Sequence, residues 1–505
     1  MTYGKAALVA GALLMAMAGM ASAETTLKIG LAEDPDILDP TLARTFVGRV
    51  VFASLCDKLF DISADLKIVP QLATEYKWVD DNKGLVITLR QGVMFQDSEP
   101  MNAEAVKYSL ERHLTMPGSN RKGEIGAVKS VEVVDDHTVK LSLGAPFSPL
   151  LAPLTDRAGM IVSPKAAEAL KDKFGAAPVC AGPYKFVERI AQDRIVVQKF
   201  DNYWDKDKIH IDKIVFQPIP DNSVRIANLR SGGLDFIERV APTDLTQLRS
   251  DKNLQIAEIG ELGYQGITTN TGNGAKAKNP LGQDPRIREA FSLSIDRDAL
   301  NQVVFNGEYI PGNQWVPPES PYYDKALPVP KRDVARAKAL LKEAGVERPS
   351  FTLMIPNNTE PQQVNQVVQS MAAEAGFDIK LQATEFATSL DLAEKGEMEA
   401  FQIGWSGRTD PDGNIFNFVT CKAPVGFNYG LYCNEQADKE LTAARTLSDL
   451  DDRKKHYAAA AEILLKDLPI IYLYHRKWIY AFNKKVAGFT PYPDGLIRPQ
   501  GLTMQ

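Results

Sequence analysis

The amino terminus of the chain carries an apolar run whose length and flanking residues indicate where the protein folds. A basic residue and the apolar residues 6–20 precede an Ala-Ser-Ala tripeptide that ends at Ala23, and Glu24 follows. This order is typical of a secretory signal peptide, and the run is shorter than the roughly 18–20 apolar residues of a membrane-spanning helix. Position 24 is not a cysteine, so a lipid anchor there is excluded. We therefore expect cleavage between Ala23 and Glu24 and an exported protein without a membrane anchor.

Export brings the four cysteines of the chain into an oxidising compartment, where cysteines pair. Four cysteines allow three connectivities. Because Cys421 and Cys433 bracket a short segment with Gly, Pro and Asn, a disulfide between them is the simplest pairing, and it leaves Cys56 with Cys180. A zinc site is the alternative, but no C-x-x-C pair occurs and no histidine is spaced near these cysteines. We expect two disulfides and neither a metal nor a cofactor.

Size and charge narrow the class of protein further. The chain has 505 residues, of which 44% are apolar and 24% charged, so it is long enough for two large lobes or three domains. The net charge of −6 argues against a nucleic-acid partner, because phosphate contact needs a strongly basic surface.

Local patterns predict a mixture of helices and strands. Residues 26–31 alternate like a strand, and residues 78–90 and 131–143 read as hairpins around polar turns. The apolar spacing predicts one long helix over 436–465 and one aromatic-rich strand over 470–482. The chain is therefore of the α/β class, with an α+β first third.

The known catalytic motifs are missing from the sequence. No G-x-S-x-G elbow, P-loop, H-E-x-x-H motif or Rossmann glycine fingerprint occurs. Asp410, Asp412 and Asn414 begin like a calcium loop, but the motif needs Gly and Glu where Ile415 and Cys421 stand. A polar loop that contacts a ligand is the favoured interpretation of this segment.

One enzymatic alternative stays open, a secreted hydrolase that uses acidic side chains as general acid and base. Its candidate carboxylates belong to Asp34, Asp36, Asp410 and Asp412. No pair of them stands in a recognised catalytic context, so we expect a binding protein and not an enzyme.

Five segments, taken together and in order, carry a family resemblance. They are LRQGVMFQD at 89–97, AGPY at 181–184, NYW at 202–204, DPRIREA at 284–290, and GWSG at 404–407 followed by DPD at 410–412. In this arrangement the chain resembles the dipeptide- and oligopeptide-binding proteins, family 5 of the bacterial extracellular solute-binding proteins, over nearly its whole mature length.

The resemblance implies a two-lobed α/β periplasmic binding protein fold whose ligand cleft lies between the lobes. Lobe I would comprise residues 24–270 and 475–505, with an extra α+β subdomain over about 69–184, and lobe II residues 271–474. The resemblance also implies a monomer in the periplasm that captures a peptide or peptide-like solute and delivers it to the permease subunits of an ABC transporter. An opine, a glutathione-like thiol peptide, a sugar or a metal chelate is the alternative ligand.

The resemblance also indicates where the ligand binds. Peptide-binding relatives place an Asp shortly after the Trp-x-Gly segment to neutralise the amino terminus of the ligand, and Arg408 stands in that register here. Arg408 either grips a ligand carboxylate with its guanidinium or pairs with Asp410 or Asp412 on its own loop. The resemblance also implies two crossover strands between the lobes, at 263–270 and 470–482, which contain Tyr264 and Arg476. The other expected ligand contacts are Trp405, Asp410, Asp412, Leu38, Asp39, Tyr264 and Arg476.

Overall fold

A computed structural model describes residues 24–423 and 426–505 of the chain. The predicted signal peptide and its cleavage point lie outside the described residues. Within these ranges, no helix has both the length and the apolar character needed to cross a bilayer.

The described chain contains twenty-one strands and fifteen α-helices, joined in places by short 3-10 turns. The strands are β1 (Thr26–Leu31), β2 (Phe60–Ile62), β3 (Ile68–Pro70), β4 (Ala73–Val79), β5 (Gly84–Leu89), β6 (Val128–Asp135), β7 (Thr138–Leu143), β8 (Tyr184–Ile190), β9 (Arg194–Lys199), β10 (Lys213–Pro218), β11 (Phe236–Ile237), β12 (Leu254–Gly260), β13 (Tyr264–Thr269), β14 (Ile310–Pro311), β15 (Ser350–Pro356), β16 (Asp378–Thr384), β17 (Ala400–Trp405), β18 (Ile470–His475), β19 (Lys477–Asn483), β20 (Val486–Ala487) and β21 (Thr503–Met504). The helices are α1 (Phe46–Leu55), α2 (Ala103–Thr115), α3 (Lys122–Ile125), α4 (Pro164–Leu170), α5 (Asn222–Ser231), α6 (Leu245–Ser250), α7 (Pro280–Gln283), α8 (Pro285–Ser294), α9 (Arg297–Phe305), α10 (Val334–Glu343), α11 (Thr359–Ala375), α12 (Phe386–Glu394), α13 (Asp412–Val419), α14 (Glu435–Thr446) and α15 (Leu450–Asp467).

A seven-stranded sheet organises the first lobe, in the order β12-β19-β11-β1-β10-β9-β8. The strand β1 lies at its centre because its alternate residues Leu27, Ile29 and Leu31 are at most 1% exposed and pack into the core. It runs parallel to both β10 and β11, so the carboxyl ends of the three strands meet at the same edge of the sheet.

A four-stranded antiparallel sheet, β4-β5-β7-β6, forms a separate small layer with the helix α2. Its core of buried apolar residues runs from Leu59 to Ala181 and is distinct from that of the seven-stranded sheet. Asn102 starts α2 by accepting a hydrogen bond from the backbone N–H of Ala105, as helix-capping side chains do.

The second lobe is built on a six-stranded sheet in the order β14-β18-β13-β17-β15-β16. Strand β15 pairs in parallel with β16 and β17, whereas β13 pairs antiparallel with β17 and β18. The long helix α11 covers one side of this sheet and ends at Gly376, whose φ of 111° is the left-handed conformation that favours glycine.

The chain passes between the two large sheets twice, and one crossing differs from the predicted lobe boundary. Residues 264–269 were expected in lobe I, but this strand pairs with β17 and β18 of the six-stranded sheet. The first crossing therefore lies at residues 261–263 and not after residue 270, where the first part of lobe I was expected to end. Gly263 permits the tight passage, since a Cβ at that position would meet the carbonyl oxygen of Trp405 at 1.7 Å.

The second crossing divides the predicted strand 470–482. Arg476 separates β18, in the six-stranded sheet, from β19, in the seven-stranded sheet. The predicted helix 436–465 is likewise two helices, because Asp449 caps a new start by accepting hydrogen bonds from the N–H groups of Asp451 and Asp452. Periodicity alone does not reveal either break.

Both predicted disulfides are present in the structure. Cys56 is bonded to Cys180 with a Cα–Cα distance of 4.9 Å, and Cys421 to Cys433 with a Cα–Cα distance of 4.3 Å. The first bond ties the end of α1 to the segment that leads into β8, and the second closes the loop between α13 and α14.

Candidate functional site

A large cleft lies between the two lobes and encloses about 1550 Å³, its mouth included. The first lobe contributes the loops that follow the carboxyl ends of β1, β10 and β11, together with the start of α1. The second lobe contributes β13, β17 and the start of α11. Carboxyl ends of parallel strands are the usual place for a ligand in open α/β sheets.

Aromatic side chains form one wall of the cleft. Tyr264 and Trp405 are direct partners in the register of β13 and β17, and both line the cavity. The indole Nε1 of Trp405 donates to Asn414 Oδ1 at 3.0 Å, and Phe418 packs edge-on against the indole ring at 4.9 Å. The indole is therefore held in one orientation and offers a fixed apolar surface to a ligand.

The charged side chains that line the cleft are mostly cationic. Two of them are glutamates, Glu33 and Glu360, and seven are arginines. The arginines are Arg44, Arg49, Arg121, Arg157, Arg225, Arg239 and Arg476. This excess of guanidinium groups, which match carboxylates in shape and charge, favours an anionic ligand.

Four arginines gather around two carboxylates beside the cleft. We call this group the arginine cluster: Arg49, Arg121, Arg157, Arg408, Asp156 and Glu124. Asp156 is 3% exposed and pairs with Arg49, with Arg157 at 3.5 Å and with Arg408 at 3.5 Å. Glu124 accepts from Arg121 Nη1 at 2.6 Å and lies 3.9 Å from Arg408.

Burial and charge shift the ionisation of this cluster. Burial would raise the pKa of Asp156, but Arg408, Arg49 and Arg157 hold it well below its ordinary value. Burial and repulsion from Arg121 and Arg408 hold the pKa of Arg157 well below its usual range, against the attraction of Asp156. The cluster thus holds Asp156 as an anion while its positive charges repel one another.

A second charged group that lines the cleft, around Arg239, contains more acidic side chains. Arg239 contacts Glu238 at 2.7 Å and Glu33 at 3.0 Å. Burial raises the pKa of Glu33, although Arg239 opposes the shift. Since Glu33 and Glu360 both line the cavity, their carboxylates can accept a cationic group of a ligand.

Three of the ligand contacts expected from sequence line the cleft together. Tyr264 and Trp405 stand on the aromatic wall, and Arg476 lies at the second chain crossing, where its Nε is 3.2 Å from Glu261 Oε2 and its Nη1 is 3.9 Å from Glu360 Oε1.

Arg408 lies behind the wall of the cleft and not on its surface. Its guanidinium stacks on the Trp405 ring, 4.3 Å from the ring centroid, and reaches the first lobe at Asp156. The partners expected on its own loop are taken by other arginines, because Asp410 pairs with Arg453 at 2.7 Å and Asp412 with Arg445 at 2.7 Å. These two carboxylates do not line the cleft either.

Leu38 and Asp39 lie away from the cleft lining. Leu38 is fully buried in the core of the first lobe, and Asp39 pairs with Arg112 at 2.6 Å. Both side chains therefore support the loop after β1 from behind.

The four carboxylates of the hydrolase alternative are not brought together as a pair. Asp34 binds Arg189 at 3.1 Å, and Asp36 accepts from the backbone N–H of Arg44 at 2.8 Å. Asp410 and Asp412 face their own arginines in the second lobe. Among the residues the structure describes, no three His, Cys, Asp or Glu side chains converge on a point that would hold a metal ion.

The arginine cluster is what reasoning from sequence missed. Arg49 lies in the otherwise apolar helix sequence FVGRVVFASL, and Arg157 stands in the apolar segment that follows β7; they are 2% and 1% exposed. An arginine within an apolar run needs a buried anion, and that signal was present in the sequence. Which arginines meet depends on contacts between segments about 70 to 360 residues apart, such as the hydrogen bond from Arg49 Nη1 to Ser406 Oγ.

Comparisons with known proteins agree with this architecture. The sequence profile of the bacterial extracellular solute-binding proteins, family 5 (middle), matches residues 67–426. The glutathione-binding protein GsiB of Salmonella typhimurium is 32% identical over 468 residues, with 90% of each chain covered. GsiB of Escherichia coli K12 is 30% identical over 493 residues, covering 95% of this chain and 94% of the relative.

A solved structure extends the likeness to three dimensions. The periplasmic binding protein AgaA of A. tumefaciens R10, in complex with agropinic acid, superimposes with a TM-score of 0.87 at 28% identity, covering 95% of this chain and 99% of AgaA. The predicted two-lobed α/β fold is confirmed by this match. With a family profile over more than half of its length and relatives of 30% identity or more across it, the chain belongs to family 5 of the bacterial extracellular solute-binding proteins.

Proposed function

We propose that the protein captures a small peptide-like solute with carboxylate groups in the periplasm and passes it unchanged to the permease of an ABC importer. The observation that carries this proposal is the charge of the cleft, where seven arginines and two glutamates line one cavity. Guanidinium groups bind carboxylates with two parallel hydrogen bonds, and burial strengthens such contacts.

The polarity of the cleft supports a solute with charges of both signs. The arginine cluster offers a place for carboxylates, and Glu33 and Glu360 offer one for an ammonium group. Trp405 and Tyr264 lie beside these charges and would cover the apolar part of the solute. A short peptide with additional acidic groups fits this description.

The relatives suggest a first candidate for the solute. GsiB, at 30–32% identity, is a glutathione-binding protein, and glutathione is a tripeptide with two carboxylates and one amino group. We therefore propose a glutathione-like peptide as the solute. An opine is the second candidate, because AgaA was solved with agropinic acid.

Capture follows from the two-lobed architecture. The lobes are joined by two crossings only a few residues long, at 261–263 and at Arg476, so small backbone rotations there would open and close the cleft. Closure expels water from around the solute and strengthens its polar contacts. The protein would act as a monomer in this role and would release the solute without chemical change.

The direct test is identification of the bound solute. Protein purified without denaturation is unfolded, and the released small molecules are identified by mass spectrometry; calorimetry then measures the affinity for glutathione and for the identified solute. We expect a solute with at least one free carboxylate, recovered intact after incubation with the protein. A neutral or cationic solute, or a chemically altered one, would contradict the proposal.

Two variants test whether the arginine cluster contributes to the affinity for the solute. Arg49→Gln leaves Asp156 paired with Arg157 and Arg408, so the variant is expected to fold and to bind the solute at least tenfold more weakly. Arg297→Gln is the control, since Arg297 is also buried but contacts the carbonyl oxygens of Tyr472 and Ser292 outside the cleft. Equal affinities of the two variants would remove the arginine cluster from the binding site.

A further inference from the structure

We propose that closure of the cleft is coupled to the charge of the solute: the arginine cluster requires a solute that brings two negative charges to it, and Arg408 is the charge that moves with the second lobe. This inference rests on the proposed function and names the charge class of its solute.

A charge count within the cluster shows an excess of two positive charges. Arg49, Arg121, Arg157 and Arg408 contribute four positive charges, and Asp156 and Glu124 contribute two negative ones, which leaves +2. The four arginines are at most 7% exposed. Buried charges without counter-ions are costly, so an excess of this size calls for an external anion.

The charged groups around the cluster do not supply the missing anions. Asp39 is paired with Arg112 at 2.6 Å. Asp494, close to Arg49, is paired with Arg498 at 2.8 Å, and Arg498 together with Lys58 also neutralises Asp61 at 2.7 Å. These neighbours form balanced groups of their own.

Free hydrogen-bond donors point the same way. Among the described residues, no acceptor partners the Nε atoms of Arg49, Arg121 and Arg157 or the Nη2 atom of Arg408, and all four atoms are buried. Arg49, Arg121 and Arg157 line the cavity itself. A solute carboxylate beside these three side chains would therefore meet unmatched positive charge.

The cluster is shared between the lobes, which makes its charge depend on closure. Arg408 follows β17 of the second lobe, whereas Asp156 and the other three arginines belong to the first lobe and the four-stranded layer. Without Arg408 the first-lobe part carries three positive and two negative charges, an excess of one. When the cleft closes, Arg408 joins the cluster and raises its excess to two positive charges, and closure also shields the cluster from water.

The energetic consequence is a dependence of closure on the solute. Loss of solvation and repulsion from Arg49 and Arg121 oppose closure when no anion is bound. Asp156 and Glu124 attract Arg408 but together supply only two negative charges to the cluster. A solute with two negative charges neutralises the closed cluster, and a solute with one negative charge leaves it with an excess of one. The cleft would therefore close more completely, and bind more tightly, around a solute that brings two carboxylates to the cluster.

The first test needs no ligand. Small-angle X-ray scattering gives the radius of gyration of the protein freed of solute, for the wild type and for Arg157→Gln, which removes one excess charge. We expect Arg157→Gln to be more compact than the wild type under ligand-free conditions and Arg297→Gln to match the wild type. An Arg157→Gln variant that is folded and has the radius of the wild type overturns the inference.

The second test uses the wild type alone and does not depend on a variant folding. Calorimetry compares glutathione with glutathione monoethyl ester, which carries one carboxylate fewer. We expect the ester to bind at least tenfold more weakly and to compact the protein less in scattering. In Arg157→Gln the difference between the two compounds should shrink to about threefold or less.

Failure of this inference is distinguishable from failure of the proposed function. Equal binding of glutathione and its ester overturns the coupling but keeps a carboxylate-bearing solute. If glutathione does not bind, the number of carboxylates on the co-purified solute decides. A solute with one carboxylate overturns the coupling alone, and a solute with no carboxylate overturns both the coupling and the proposed function. If no solute is found, the ligand-free scattering comparison decides the coupling.

Discussion

Glu261 and Arg476 face each other at the two chain crossings and join them with three hydrogen bonds. The backbone N–H of Glu261 donates to the carbonyl oxygen of Arg476 at 3.0 Å, and the N–H of Arg476 donates to Glu261 Oε1 at 2.7 Å. The guanidinium Nε of Arg476 adds a bond to Glu261 Oε2 at 3.2 Å. The connection between the lobes is thus fixed by one buried ion pair, around which both crossings are arranged.

Removal of Arg476 should destabilise the protein strongly. Arg476→Gln leaves the carboxylate of Glu261, whose side chain is fully buried, without its cation, and breaking a buried pair in this way costs about 3–5 kcal/mol. Lys477→Gln is the control, because Lys477 is 34% exposed and pairs with Glu308 near the surface, where a pair contributes about 1 kcal/mol or less. Urea denaturation of both variants measures the difference, and similar losses would show that the crossing pair is not a main support.

Arg44 should contribute to closure from the mouth of the cleft. It reaches from the first lobe to Asp391 and Glu394 on α12 of the second lobe, with an Nη1–Oε2 distance of 3.2 Å to Glu394. Because both acceptors are about half exposed, we expect Arg44→Gln to weaken solute binding only about two- to fivefold. The control is Arg336→Gln, whose pair with Glu343 lies within α10.

The measurement for Arg44 is the dissociation rate of the solute as a function of salt. High salt screens exposed pairs, so the dissociation rate of the solute should rise more with salt for the wild type than for Arg44→Gln. Parallel salt dependences would rule out a contribution from this contact.

Asp57 should make stability depend on pH. Burial raises its pKa to about 7, although Trp204 and Tyr203 donate hydrogen bonds to it. Since the unfolded chain releases this proton near pH 4, the folded state holds the extra proton between about pH 4 and 7. The stabilising contribution of the protonated form is therefore full below pH 4 and is lost as the pH rises to 7.

A comparison with Asp57→Asn isolates this effect. Between pH 5 and 8 the free energy of unfolding of the wild type should fall by about 2–3 kcal/mol relative to the variant, because each pH unit below 7 counts about 1.4 kcal/mol. Asp298→Asn, at an exposed position, serves as the control. Curves for wild type and Asp57→Asn that stay parallel over this range would contradict the prediction.

The two disulfides should differ in their contribution to stability. The bond between Cys56 and Cys180 spans 124 residues and that between Cys421 and Cys433 only 12. A disulfide constrains the unfolded chain more when it closes a longer loop. Removal of the bond between Cys56 and Cys180 should therefore lower the free energy of unfolding by about 1–2 kcal/mol more than removal of the other bond. Thermal and urea denaturation of the two double Cys→Ala variants would measure this, and an equal or reversed order would show that native-state effects dominate.

The family, the class of fold and the cysteine pairs can be read from the sequence alone. The motifs at 89–97, 181–184 and 404–407 are local and stand in a fixed order, so one chain suffices to recognise them. Cys421 and Cys433 are close in sequence, which left the other two cysteines to each other. Tyr264 and Trp405 were found for the same reason, since each lies in a segment whose pattern is readable without its neighbours.

The positions of the chain crossings and the composition of the cleft depend on how distant segments pack. The sequence shows a buried-looking Arg49 and an Arg408 in an unusual register, but not that Asp156 lies between them. The choice of partner is made by long-range packing of two lobes, where desolvation and charge pairing act among residues from distant segments. The net charge of the site is therefore set by the tertiary structure, because electrostatic energy depends on distance in space and not on distance along the chain.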